Sequence, residues 1–265
     1  MKNFFLLIGL SLFFVTPLFS SMKSFLLKES DKVIVSEGDC MSRHAPCSTF
    51  KIAISLMAYN EGILNDEGRP KLPFKEGYTD SIDSWRQSHD PRLWIKNSCV
   101  WYSQVLTQIL GKEKFQDYLE KFSYGNKDSS GDKGKNNGLR RSWLSSSLEI
   151  SLEEQVSFLQ KLLDRKLQVS SKSYEMTKNI LFVEHLENDW KLFGKTGNGS
   201  SIKQEGTEKR EDLQIGWYVG WIEKDSRSIV FAYYIEDEVK EETYASRRAR
   251  AQLKDRLRIL VQKGV

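Results

Sequence analysis

Between Cys47 and Tyr59 the chain reads CSTFKIAISLMAY, an apolar run with one charge in it, Lys51. A lysine is almost never fully buried without a partner, so its place on the first turn of an apolar helix constrains whatever fold contains it. Ser48 lies three residues earlier, which puts hydroxyl and amine on one helix face and pairs a nucleophile with a base. Burial among Phe50, Ile52 and Ile54 disfavours the ammonium and lets the free amine exist near neutrality. The helix N-terminus adds backbone N–H groups and a favourable dipole end for negative charge developing on an attacked carbonyl.

The S-x-x-K spacing is weak by itself, because it also occurs at Ser20–Lys23, Ser130–Lys133 and Ser200–Lys203. Only Ser48 is followed by an apolar helical run. Two further pieces join it: Lys195-Thr196-Gly197 occurs once, at the end of an expected strand, and Ser98-Cys99-Val100 opens a helix.

The 265 residues, 39% hydrophobic and 29% charged, suffice for one large domain or two small lobes with a packed core. Forty basic against 36 acidic residues leave a formal charge of +4 without a basic block, which gives no sign of a nucleic-acid partner. At the N-terminus, Lys2 precedes FFLLIGLSLFFV, then Thr16-Pro17 and the small residues Ser20 and Ser21. This reads as a secretory signal peptide over residues 1–20, too short to span a bilayer comfortably, with cleavage near Ser20 or Ser21. The mature chain, residues 21–265, is expected to be a single exported catalytic domain, periplasmic and free of the membrane. In an oxidising compartment Cys40 and Cys47 either close a small ring before Ser48 or remain free thiols, and Cys99 reads as a small core residue.

Strands are expected around a polar turn over Phe25–Gly38, and again over Lys191–Gly197, Gln214–Glu223 and Ser228–Glu236. Helices are expected over Ser48–Tyr59, Ser98–Leu110, Glu113–Phe122, Ser151–Leu167, which opens on the capping box Ser151-x-x-Glu154, and Tyr244–Leu260. Lys127–Gly138 is a polar loop. An α/β part built from about 21–60 and 190–265 therefore brackets a helical part over about 61–189. His44, His89 and His185 form no H-x-H or H-x-x-x-H pairing, so no metal site is expected, and no G-x-S-x-G elbow is present.

Taken in order, Ser48-Thr49-Phe50-Lys51, Ser98-x-Val100, Tyr124-Gly125-Asn126, Trp143-Leu144, Gln155-Val156-x-Phe158-Leu159, Lys195-Thr196-Gly197 and Gly216-Trp217-x-x-Gly220-Trp221 resemble the class D, oxacillinase-type serine β-lactamases. The resemblance implies an α+β fold of the penicillin-binding-protein transpeptidase kind, with a central antiparallel sheet flanked by helices beside a helical region. It implies β-lactam hydrolysis through an acyl-enzyme on Ser48, with Lys51, N-carboxylated by carbon dioxide, as the base and no other cofactor. Trp143 would hold that carbamate and Val100 would cover it. Ser98 would pass a proton to the leaving nitrogen, while Lys195, Thr196 and Gly197 face the substrate carboxylate with Arg247 as the guanidinium partner, Arg248 adjoining it. The oxyanion hole would use the backbone N–H groups of Ser48 and Asn198, a position where several relatives carry an aromatic.

The rivals share the serine–lysine pair: a soluble penicillin-binding peptidase, or a β-lactam receptor domain that acylates without efficient turnover. An exported binding protein without turnover would leave Ser48, Lys51, Ser98 and Lys195 without purpose. Monomer and homodimer both stay open.

Overall fold

The computed structural model describes residues 21–200 and 213–264; the expected signal peptide lies outside them. The polar Ser30-Asp31 pair turns the chain between β1 (Met22–Glu29) and β2 (Lys32–Glu37), and Ser30 takes the left-handed conformation that the tight turn demands. In β1 the central residues are buried on both faces, as an interior strand requires. β2 is exposed at both ends and carries Lys32, which suits an edge.

The remaining strands are β3 (Phe182–His185), β4 (Lys191–Ser200), β5 (Gln214–Lys224) and β6 (Arg227–Glu236). Among the described residues they form one six-stranded sheet in the order β2-β1-β6-β5-β4-β3, antiparallel at every pairing. The first strand thus docks against the last, which unites the two ends of the chain.

Alternation along β5 assigns the two faces of the sheet. Trp217, Val219 and Trp221 point into the larger core shared with the helices, whereas Tyr218 and Ile222 point into a smaller core beneath α8 (Ala245–Gln262). The larger core also takes α1 (Lys51–Asn60), α3 (Val100–Leu110), α4 (Lys112–Phe122), α6 (Leu152–Leu163) and α7 (Ser171–Leu181). Two short helices, α2 (Pro91–Lys96) and α5 (Gly138–Arg141), complete the helical region. α6 starts where its sequence says it should: Ser151 Oγ accepts from Glu154 N and the Glu154 carboxylate accepts from Ser151 N.

The expected elements are all present, with differences at their edges. α6 stops at Leu163, short of Leu167, because the polar Asp164-Arg165-Lys166 leaves no apolar face to continue. α2, α5, α7 and β3 were not expected. β3 has four residues and pairs only along β4, so little in its sequence distinguishes it from a loop.

Candidate active site

The opening lysine is the first residue of α1, and a 3₁₀ turn over Cys47–Phe50 carries Ser48 directly beneath it. Lys51 is wholly buried, and its Nζ donates to Ser48 Oγ at 3.0 Å. Burial lowers its pKa from 10.5 to about 8, because an ammonium in the core loses its hydration. The neighbouring Cys99 and Cys47 thiols give no compensating charge at neutral pH: burial raises each to about 11.

The turn is fixed from below. Thr49 N and Thr49 Oγ1 both donate to Pro46 O, at 3.1 and 2.7 Å, and Gln155 Nε2 on α6 donates to Thr49 Oγ1 at 2.9 Å. From the sheet, Trp217 Nε1 donates to Ala45 O at 3.0 Å. Gly197 brings β4 against the same turn. A Cβ there would sit 2.8 Å from Pro46 O and 3.1 Å from Thr49 Cγ2, so only glycine permits the approach.

A second hydroxyl–amine pair faces this one. Lys195 Nζ on β4 donates to Ser98 Oγ at 3.0 Å and to Thr196 O at 3.0 Å, with Thr196 Oγ1 at 3.4 Å. Burial pushes the Lys195 pKa well down, and the charges of Lys51 and Arg250 push it further. Ser98 does not cap α3, since Cys99 occupies that position. It sits between α2 and α3 at φ 54°, a left-handed conformation held by Ser98 N donating to Ile95 O and Cys99 N to Trp94 O. The strain aims a hydroxyl at Lys195 instead of along the helix axis.

Trp143 follows α5 and is fully buried, its ring 5.6 Å from Phe50, the residue before Lys51. Its indole N–H has no acceptor among the described residues. A buried, unpaired N–H costs on the order of 1–3 kcal/mol and asks for an oxygen. Val100, at the start of α3, is buried in the same core as Trp143 and Phe50. Tyr124 packs edge-on against Phe50 at 5.0 Å, on a turn where Gly125 takes φ 53° and Asn126 Nδ2 donates to Ser147 O.

Ser48, Lys51, Ser98, Lys195, Thr196 and Gly197 are therefore brought together. Asn198 is beside them, but its side chain is spent on structure: Nδ2 donates to Gln214 Oε1 and Oδ1 accepts from Ser246 N. Arg247 is not brought to Lys195. It is exposed, with its guanidinium 5.4 Å from the Tyr244 ring. Arg248 is also engaged elsewhere, in two 2.7 Å bonds to the buried carboxylate of Asp237. Of the arginines on α8, Arg250 is the one that shares a cavity with Lys195 and Thr196; Arg92 of α2 also lines it but is held by Glu67. Helix geometry explains the shift. Measured from the stripe of buried Ala245, Ser246, Ala249, Leu253 and Leu257, Arg247 lies roughly 130° around the helix and Arg250 only about 70°. The buried stripe thus turns Arg250, not Arg247, toward the cavity beside Lys195.

Of the two alternatives for the cysteines, the free thiols hold. Cys40 Sγ lies near Ser36 Oγ and the carbonyls of Phe25 and Glu37, while Cys47 sits on the turn that carries Ser48, and all three thiols are free and buried.

The part of β4 beyond Phe193, where β3 no longer pairs, lies against a buried serine–lysine turn, and this arrangement belongs to the transpeptidase class of fold. The family model for the penicillin binding protein transpeptidase domain matches residues 23–257. β-Lactamase OXA-9 of Klebsiella pneumoniae is 41% identical over 196 residues, 74% of this chain and 71% of the relative. The crystal structure of the OXA-427 class D β-lactamase superposes with a TM-score of 0.86 at 42% identity, covering 92% of this chain and all of the other. The C-terminal domain of the Bacillus licheniformis BlaR penicillin-receptor gives 0.77 at 29%, covering 93% and 92%. The chain belongs to the class D β-lactamases, a family of hydrolases.

Proposed function

We propose that this protein hydrolyses β-lactam antibiotics through an acyl-enzyme on Ser48. The observation that carries the reading is the 3.0 Å contact between Ser48 Oγ and a fully buried Lys51 amine whose pKa lies near 8. An amine with that pKa is partly neutral at physiological pH, so it can take the serine proton as Oγ attacks the lactam carbonyl. The backbone N–H groups of Ser48 and Asn198 would face the developing oxyanion. Ser98 Oγ, hydrogen-bonded to Lys195, would deliver a proton to the departing nitrogen. Lys195 and Thr196 would hold the substrate carboxylate, whose charge would return Lys195 toward its ammonium form.

N-carboxylation of Lys51 by carbon dioxide fits the residues present. A neutral, buried amine is the reactive partner, and the orphaned Trp143 N–H is a donor waiting for an anionic oxygen. When in place, the carbamate supplies an acid–base group for both acylation and deacylation. Trp143 would hold it, and Val100 would keep water from it.

Export is part of the same reading. β1 begins at Met22, so cleavage near Ser20 or Ser21 would leave the sheet whole and deliver the enzyme to the periplasm. No helix among the described residues is long and apolar enough to cross a membrane.

Bicarbonate tests the lysine chemistry. Activity should fall in decarbonated buffer at pH 6 and return on adding bicarbonate near pH 7.5, and a ¹³C-bicarbonate carbamate resonance should appear in the wild type and vanish in Lys51→Ala. Trp143→Ala should behave like the decarbonated enzyme and recover in part at high bicarbonate. A wild type indifferent to bicarbonate after thorough decarbonation would make Lys51 a plain amine base.

A further inference from the structure

A cavity of 550 Å³ lies on the α2 and α7 side of β4, beyond the point where β3 stops pairing. Ser48 is not part of its wall. Its charged lining is of one sign: Arg92 and Lys96 from α2, Lys195 from β4 and Arg250 from α8, with no carboxylate among the described residues that line it. Arg92 is held by Glu67, whereas Lys96, Lys195 and Arg250 have no ion-pair partner among the described residues. Lys96 and Arg250 are two uncompensated cations around one concavity and attract an anion, beside which Lys195, its ammonium disfavoured by burial, would regain its proton.

A second observation points the same way. Tyr218 is 1% exposed and lines the cavity; the Arg250 guanidinium stands beside its hydroxyl as a donor, which leaves the hydroxyl's own hydrogen without an acceptor among the described residues. The hydroxyl reaches this place because position 194 is glycine. The Tyr218 ring crosses β4 there, and a Cβ on Gly194 would stand 3.0 Å from Cε2 and 3.1 Å from Cζ. Burial raises the Tyr218 pKa, so the hydroxyl stays a neutral donor. The nearby Glu184 carboxylate is occupied by Lys254 at 2.5 Å and does not compete for the cavity.

We propose that this cavity is a binding site for a doubly charged oxyanion of the phosphate type, received by Lys96 and Arg250 with the Tyr218 hydroxyl donating from its floor. Two separated cations and one neutral donor suit an anion with several oxygens better than a halide, which has no directional acceptors. Lys195 and Thr196 belong to both this cavity and the candidate active site, so an occupant would compete with the carboxylate of a bound substrate.

Binding is measured without any substrate, so the outcome is independent of the hydrolysis reading. Titration calorimetry with inorganic phosphate, at ionic strength held constant with sodium chloride, should give saturable one-to-one binding. Arg250→Gln and Lys96→Gln should each weaken it at least fivefold, and Tyr218→Phe about threefold. Arg258→Gln removes an equal charge farther along α8, paired with Asp255, and should leave the affinity within twofold. Phenyl phosphate binding more tightly than phosphate would identify an organic ester as the occupant, and equal affinities would identify the free ion. No saturable binding to the wild type, or equal losses in Arg250→Gln and Arg258→Gln, would overturn the site.

Discussion

Replacing Lys51 by methionine should make the protein more stable while abolishing turnover. The side chain is wholly buried, and its pKa falls from 10.5 to about 8 because the core cannot solvate the ammonium. Between those two values the unfolded chain holds a proton that the native state has released, so stability rises with pH across the window. At pH 7 the native state carries the whole cost, roughly 3 kcal/mol for that gap. Methionine keeps most of the packing volume and removes the charge, but it forfeits the hydrogen bond to Ser48, worth about 1 kcal/mol. The net gain at pH 7 is about 2 kcal/mol, or about 4–8 °C in Tm for a domain of this size. At pH 9.5 most of the wild-type penalty is gone, and the difference should shrink to near zero. Guanidinium unfolding of both proteins at the two pH values, in decarbonated buffer so that Lys51 stays an amine, reads this directly. A variant no more stable than the wild type at pH 7, or a gain that does not shrink at pH 9.5, would refute the placement of an uncompensated lysine in the core.

Gly197→Ala should destabilise the protein by about 1–3 kcal/mol and lower kcat/KM, because its Cβ would meet Pro46 O at 2.8 Å and push β4 off the nucleophile turn; denaturation and steady-state kinetics check both. Arg248→Ala should cost about 3–5 kcal/mol by stranding the Asp237 carboxylate, 3% exposed, and the double variant with Asp237→Leu should recover much of that loss in the same unfolding assay. None of the three thiols should react with a colorimetric thiol reagent in the native protein, and all three should react in denaturant. Ser98→Ala should lower kcat while leaving thermal stability nearly unchanged, since it removes only one of the contacts that hold Lys195 Nζ.

How far the sequence reached depended on the range of the interactions involved. The Ser48–Lys51 pair is local, separated by one helical turn, and the apolar run after it fixes which S-x-x-K is buried. The alternation in β5 and the capping box at Ser151 are equally local, and both were legible. Arg247 is turned away from Lys195 in the folded chain, because which of the neighbouring arginines faces the sheet depends on the azimuth of α8. β3 carries too few residues to announce itself, and α7, SKSYEMTKNIL, is mostly polar, so its start rests on the Ser170 cap. The pairing of Cys40 with Cys47 looked reasonable by spacing alone. In the folded chain Cys40 turns toward β1 and the end of β2, and Cys47 toward Ser145 and Gly199. The Tyr218 cavity had no sequence signal, because it joins α2, α7, β4 and α8 from distant parts of the chain.

Ser48 should be acylated by a β-lactam and then released by hydrolysis of the acyl-enzyme. Mixing the purified protein with a chromogenic cephalosporin in bicarbonate buffer, and following product against enzyme concentration, measures both steps at once. The wild type should form product linearly far beyond one equivalent, and Ser48→Ala should form none. A burst of one equivalent followed by no further product would leave a receptor-like acylation without turnover, and unchanged hydrolysis in Ser48→Ala would remove the nucleophile on which the account stands.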